Sequence, residues 1–147
     1  MVEGFSTGIV LEDCSNSSIA GNLLSTQALD GIEFSNAPGA RTGVTVSNNS
    51  IMNAQTFGIY ANTSAWGGST VSGNMISRAV GVYPGDATQW YTGIATTPPA
   101  APVTVASNVI VQSGTTGPTG FGFIGIRLNG GNESDALAGR FQLAVDA

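Results

Sequence analysis

The stretch Val46-Ser47-Asn48-Asn49-Ser50-Ile51, with Ile59 of a Gly58-Ile59 step ten residues past Asn49, decides the fold because the chain repeats it. The pattern is an aliphatic residue, two small or polar residues, an Asn, any residue, then an aliphatic. It occurs also as Ile19-Ala20-Gly21-Asn22-Leu23-Leu24, as Val71-Ser72-Gly73-Asn74-Met75-Ile76 and as Val105-Ala106-Ser107-Asn108-Val109-Ile110. Between these copies fall Gly8-Ile9, Gly31-Ile32, Gly58-Ile59, Gly93-Ile94 and Gly125-Ile126, at intervals of 23, 27, 35 and 32 residues. Two interlocked patterns in strict alternation at this period are the signature of stacked repeats.

Each half-repeat is too short for a helix, and its apolar residues alternate with period two, as in a strand with one buried face. Aligning the Gly-Ile steps predicts one inward column of Ile9, Ile32, Ile59, Ile94 and Ile126. A second inward column holds Leu11, Phe34, Ala61, Thr96 and Leu128. Val10, Glu33, Tyr60, Ala95 and Arg127 form the outward column between them. Stacking such strands about 4.8 Å apart gives parallel sheets around a shared core. Asn22, Asn49, Asn74 and Asn108 then stand at a bend. There an Asn tolerates left-handed backbone and can bond the Asn of the next coil as a ladder.

On these motifs the chain resembles right-handed parallel β-helices of the pectate-lyase-like superfamily, from residue 4 to about 130. The resemblance implies an all-β solenoid of about four to five coils. It carries no chemistry by itself, because the same fold hosts polysaccharide lyases, glycosidases, epimerases, phage tailspikes, adhesins and spacers. Residues 1–130 are expected to form the coils and residues 131–147 a C-terminal cover, within which Phe141-Gln142-Leu143 could equally be a strand. Met1 to Thr7 offers no matching cover and is expected to leave the first coil's edge open.

Two coils carry insertions at one register, 81–92 (GVYPGDATQWYT) and 113–122 (SGTTGPTGFG), which should project side by side. Insertions on one face of a repeat protein are often its binding face. Tyr83, Trp90 and Tyr91 in or beside the first loop, Trp66 in another turn and Tyr60 outward on a strand are the aromatics that could stack on sugars or anchor a protein interface. Phe121 and Phe123 extend the same patch.

Charge excludes several classes. The 147 residues hold four Lys plus Arg against nine Asp plus Glu, a net charge of −5, and no His. Nucleic acid and anionic membrane both need a basic patch, so neither is an expected partner. Histidine-based acid–base chemistry and histidine metal sites are ruled out. Gly120-Phe121-Gly122-Phe123-Ile124-Gly125 matches G-x-G-x-x-G but runs into a strand rather than a helix N-terminus, so it is no dinucleotide site. Glu12 and Glu33, both read as outward on neighbouring coils, stand roughly 8 Å apart by strand geometry, inside the ~6.5–9.5 Å window of an inverting glycosidase pair. The alternative is two solvated surface glutamates. Asp86, beside Trp90, is the third acid considered, and Asp13 and Asp30 read as turn residues. The calcium-dependent lyases that the resemblance brings in need an acidic cluster, and none can be assembled from contiguous carboxylates here.

These features together predict a non-enzymatic structural or binding module of a larger assembly, without metal or cofactor. It is most similar to a phage or virus surface component, either a tailspike or a capsid decoration protein. A homo-oligomer, a trimer by that resemblance, in a virion or extracellular setting, and a possible polysaccharide ligand go with it. The alternative is a carbohydrate-active glycosidase or lyase fragment.

Overall fold

The computed structural model describes residues 1–78, 91–112, 123–128 and 142–145. Every described element is a strand, and every strand pairing is parallel. The strands are β1 (Val2–Glu3), β2 (Ile9–Leu11), β3 (Ser18–Ala20), β4 (Leu23–Ser25), β5 (Ile32–Phe34), β6 (Thr45–Ser47), β7 (Ser50–Met52) and β8 (Phe57–Ala61). They continue as β9 (Thr70–Ser72), β10 (Met75–Arg78), β11 (Tyr91–Thr96), β12 (Thr104–Ala106), β13 (Val109–Gln112), β14 (Phe123–Leu128) and β15 (Gln142–Val145).

They stack into three walls. The Gly-Ile sheet runs β2-β5-β8-β11-β14, the sheet before the Asn bend runs β3-β6-β9-β12, and the sheet after it runs β1-β4-β7-β10-β13-β15. One coil therefore visits three walls in turn, and the chain is a parallel β-helix. The two aliphatics of the Asn motif centre two different strands. Val46 and Val71 point inward from the pre-Asn sheet, and Leu24, Ile51, Ile76 and Ile110 point inward from the post-Asn sheet. Ile9, Ile32, Ile59, Ile94 and Ile126 stand in register, coil on coil. The three middle members are fully buried, while Ile9 and Ile126, nearer the ends, are partly buried.

At Gly31, Gly58 and Gly93 the glycine of the Gly-Ile step is a steric necessity. A Cβ on Gly58 would lie 2.5 Å from Ile76 Cγ2 and 2.6 Å from the Gly93 carbonyl oxygen. Gly93 is confined in the same way by Ile110 and Gly125, and Gly31 by Ile51 and Gly58. The isoleucine of the post-Asn strand thus fills the space that a side chain at the glycine would take, which couples the two motifs.

The Asn column is a hydrogen-bonded ladder. Asn22 Nδ2 donates to Asn49 Oδ1 (3.0 Å), Asn49 Nδ2 to Asn74 Oδ1 (2.9 Å), and Asn74 Nδ2 to Asn108 Oδ1 (2.9 Å). The same oxygens accept the backbone N–H of the preceding Asn. Left-handed backbone falls one residue earlier than expected, at Gly21, Asn48, Gly73 and Ser107, with φ between 54° and 68°. The ladder side chain needs ordinary backbone to aim along the stack, so its neighbour makes the turn. Replacing Asn49 with Ala removes the oxygen that accepts from Asn22 N–H and Nδ2 and the Nδ2 that donates to Ile19 O and Asn74 Oδ1, while Asn74 Oδ1 keeps the backbone N–H of residue 49. A loss of about 1–3 kcal/mol in urea unfolding is expected, and an unchanged midpoint would deny the ladder a stabilising role.

Several expectations need correction. Met1 to Thr7 contains a strand, because β1 pairs with β4 through Val2↔Leu24 and Glu3↔Ser25. Tyr91 and Thr92 belong to β11, so the first insertion is shorter than the sequence suggested, whereas the second keeps its expected bounds between Gln112 of β13 and Phe123 of β14. Pairing of Thr92 with Phe57 and of Tyr91 with Phe123 keeps these residues on the wall. Ala95, placed outward, is only 1% exposed. It is flanked in register by Tyr60 and Arg127, and both side chains overtop a methyl group. Within the expected 131–147 cover, β15 pairs in parallel with β13. Most of that segment, and the insertion cores 81–90 and 113–122, lie outside the described residues.

Candidate functional site

The Gly-Ile sheet places its charged residues on the outside, since the alternation that buries Ile32 and Phe34 turns Glu33 out between them. Glu33, Tyr60, Ala95 and Arg127 follow one another in register across four coils. Glu33 Oε1 accepts a hydrogen bond from Asn62 Nδ2 (3.2 Å), which fixes the carboxylate on its own coil's neighbour. The Tyr60 ring stacks on Phe57, with centroids 4.3 Å apart and planes 29° from parallel. An aromatic face and a held carboxylate therefore share one surface.

The acid that feels Glu33 is Asp30. It is buried at the corner leading into β5, and its Oδ1 accepts from the Phe57 N–H (3.2 Å). Burial, and then the negative charge of Glu33, push its carboxyl up from the ordinary 3.8 to about 7, against the opposing Phe57 hydrogen bond. Tyr60 is raised as well, chiefly by burial and then by Asp30 and Glu33, while Arg127 pulls it down. Asp30 is thus a carboxyl able to hold or give up a proton near neutral pH, beside a second acidic side chain. Such a pair can serve acid–base work or bind hydroxyl-rich ligands.

The sequence-predicted residues distribute unevenly over this face. Tyr60 and Glu33 are on it together. Glu12 is exposed beyond the end of β2. Tyr83, Asp86, Trp90 and Phe121 lie outside the described residues. Tyr91 opens β11, in register with Phe123.

Trp66 requires a correction. It is 1% exposed, packs against Phe34 with ring centroids 5.7 Å apart, and donates from Nε1 to the Thr97 carbonyl (3.0 Å). Its turn folds back over the core, so the indole fills the interior and presents no stacking face.

Two residues were passed over in the sequence. Asp30 looked like turn punctuation, and only burial reveals its altered acidity. Arg41 is fully buried, with Nε donating to Leu11 O (3.0 Å), Nη1 to Gly39 O (2.6 Å) and Nη2 to Ala37 O (2.7 Å). The guanidinium thereby ties the turn after β5 to the end of β2. Among the described residues no three His, Cys, Asp or Glu side chains gather into a metal site.

A family profile described as "Right handed beta helix region" matches residues 2–96. Neither a curated protein nor a solved structure matches the chain.

Proposed function

Since the chain belongs to the right-handed β-helix family, we propose that it is a structural and binding module of a larger assembly. Its closest analogy is to phage or virus surface components. The observation that carries this reading is the unbroken coil-to-coil bonding. The Asn ladder and three in-register walls make a rod that holds its outer faces in fixed positions. Low charge and richness in Gly, Ser, Thr and Asn fit a display surface. Self-assembly follows from the small core of a single short stack, with a trimer as the stoichiometry that the analogy suggests. Sedimentation of the full chain tests it. A species heavier than 14.8 kDa supports an assembly role, and a monomer that also fails to bind surface polysaccharide overturns it.

A second reading, a carbohydrate-active fragment, is favoured by one observation, the Asp30–Glu33 pair beside Tyr60. Incubation with a panel of polysaccharides separates the two readings. Release of new reducing ends, abolished in Glu33→Gln, establishes an enzyme. Retention on an affinity gel without release, lost in Tyr60→Ala, establishes a binding face.

A further inference from the structure

Tyr60 sits between two carboxyl contacts of unequal depth. Asp30, at the corner entering β5, accepts the Phe57 N–H at the start of β8. Glu33, within β5, accepts from Asn62 Nδ2 just past the end of β8. Both bonds measure 3.2 Å, and both cross from one coil to the next. Phe57, tied at its backbone to Asp30, also stacks its ring on Tyr60.

The two acids differ in freedom. Asp30 is 6% exposed, its side chain is short, and its backbone carbonyl is bonded to the Gly8 N–H (3.0 Å). Glu33 is half-buried, longer and turned outward, held by the Asn62 amide alone among the described residues. Charge around this corner is sparse. The negative charge of Glu33 acts on Asp30, Tyr60 lies on the next coil, and Arg127 bears on Tyr60. The other strands near the corner, β2, β4, β7 and β11, bring no Asp, Glu, Lys or Arg. Only the Phe57 N–H favours the charged form of Asp30. Charging a carboxyl at this depth, beside a second negative group, is costly unless one of the two moves. Glu33 is the one less tied down.

We propose that Asp30 is a proton-operated latch on Glu33. With Asp30 protonated, Glu33 rests on Asn62 beside Tyr60; with Asp30 charged, Glu33 swings off Asn62 toward solvent. This rests on the reading of the Tyr60 face as a binding surface, and it adds regulation to that face. Losing the proton strengthens the Asp30 bond to Phe57, because a charged acceptor holds an N–H more tightly than a neutral one. Phe57 and the Tyr60 ring stacked on it therefore stay in place. The repulsion falls on the Glu33–Asn62 bond, which water can replace at small net cost. The face thus has two states, one with a carboxyl group fixed beside the aromatic ring and one with the ring alone. A hydroxyl-rich ligand that uses both groups binds the first state better, so protonation of Asp30 favours its binding.

Nuclear magnetic resonance of the full chain, followed from about pH 5 to 8.5, reads the latch without any ligand. The Phe57 amide reports Asp30, and the Asn62 side-chain amide reports Glu33. Both should titrate together with a midpoint of about 7, the Phe57 proton moving downfield and the Asn62 protons upfield. In Asp30→Asn the Asn62 protons should keep their low-pH position across the range. In Glu33→Gln, which removes the neighbouring negative charge, the Phe57 midpoint should fall, and this variant carries the test should Asp30→Asn unfold. Asn62 protons that stay still while Phe57 titrates overturn the latch. A Phe57 proton that moves upfield overturns it as well, since Asp30 rather than Glu33 would then be the group that leaves. So does a Phe57 amide without any titration in this range. None of these failures touches the binding surface, which falls instead if Tyr60→Ala keeps full polysaccharide retention.

Discussion

Trp66→Ala should lower the free energy of unfolding by about 3–5 kcal/mol, the usual cost of emptying a large buried aromatic site. The indole is among the largest fully buried side chains, and its removal also strips Phe34 of its ring partner. Trp66→Phe separates two parts of this effect. It keeps an aromatic against Phe34 but leaves the Thr97 carbonyl without its donor, for a loss of about 1–3 kcal/mol. Urea unfolding followed by circular dichroism measures both variants. Were Trp66→Ala to keep the wild-type midpoint while losing polysaccharide retention, the indole would be a surface ligand group and its place in the core would be wrong.

Asp30 ties stability to pH in the direction opposite to most carboxylates. Its folded acidity lies near 7, above the ordinary 3.8, so the folded chain prefers the protonated form. The contribution is complete below about pH 4 and is lost as pH rises through about 7. A raise of that size corresponds to roughly 4 kcal/mol between the two limits. Asp30→Asn keeps an oxygen for the Phe57 N–H and cannot ionise. Unfolding measured from pH 5 to 8.5 should show the wild type losing stability relative to Asp30→Asn as pH rises, by a few kcal/mol at the alkaline end. A constant difference between the two proteins across that range would mean that Asp30 stays ionised in the folded chain.

What could be read from the sequence was whatever repeats. Ile32, Ile59 and Ile94 recur because each coil rebuilds the same core position, and Asn22, Asn49 and Asn74 because each coil rebuilds the same corner. Trp66 has no counterpart on other coils. It sits in an irregular turn where period-two alternation does not apply, and a lone aromatic among Gly and Ser looks like a surface residue. Ala95 followed the pattern, but its burial depends on the length of its neighbours Tyr60 and Arg127, which alternation does not register. The acidity of Asp30 likewise comes from depth and from Glu33, and Glu33 adjoins it only once the corner is folded. The carbonyl cage around Arg41 draws on backbone from Leu11, thirty residues away, and leaves no mark in residue types.

The Asn ladder also spans unequal stretches of chain. Its successive steps join residues 27, 25 and 34 positions apart, yet each step closes with nearly the same geometry. Closing a loop costs entropy only as the logarithm of its length, so going from 25 to 34 residues adds about 0.3 kcal/mol. One coil can therefore grow by a third at almost no thermodynamic penalty, provided the growth occurs at a corner and not within a wall. The extra residues of the longest step fall between the end of β10 at Arg78 and the start of β11 at Tyr91, outside both strands. Sequence there is free to lengthen and diversify while Asn74, Gly93 and Ile94 hold the register, so new surface can evolve on this rod without redesign of its interior.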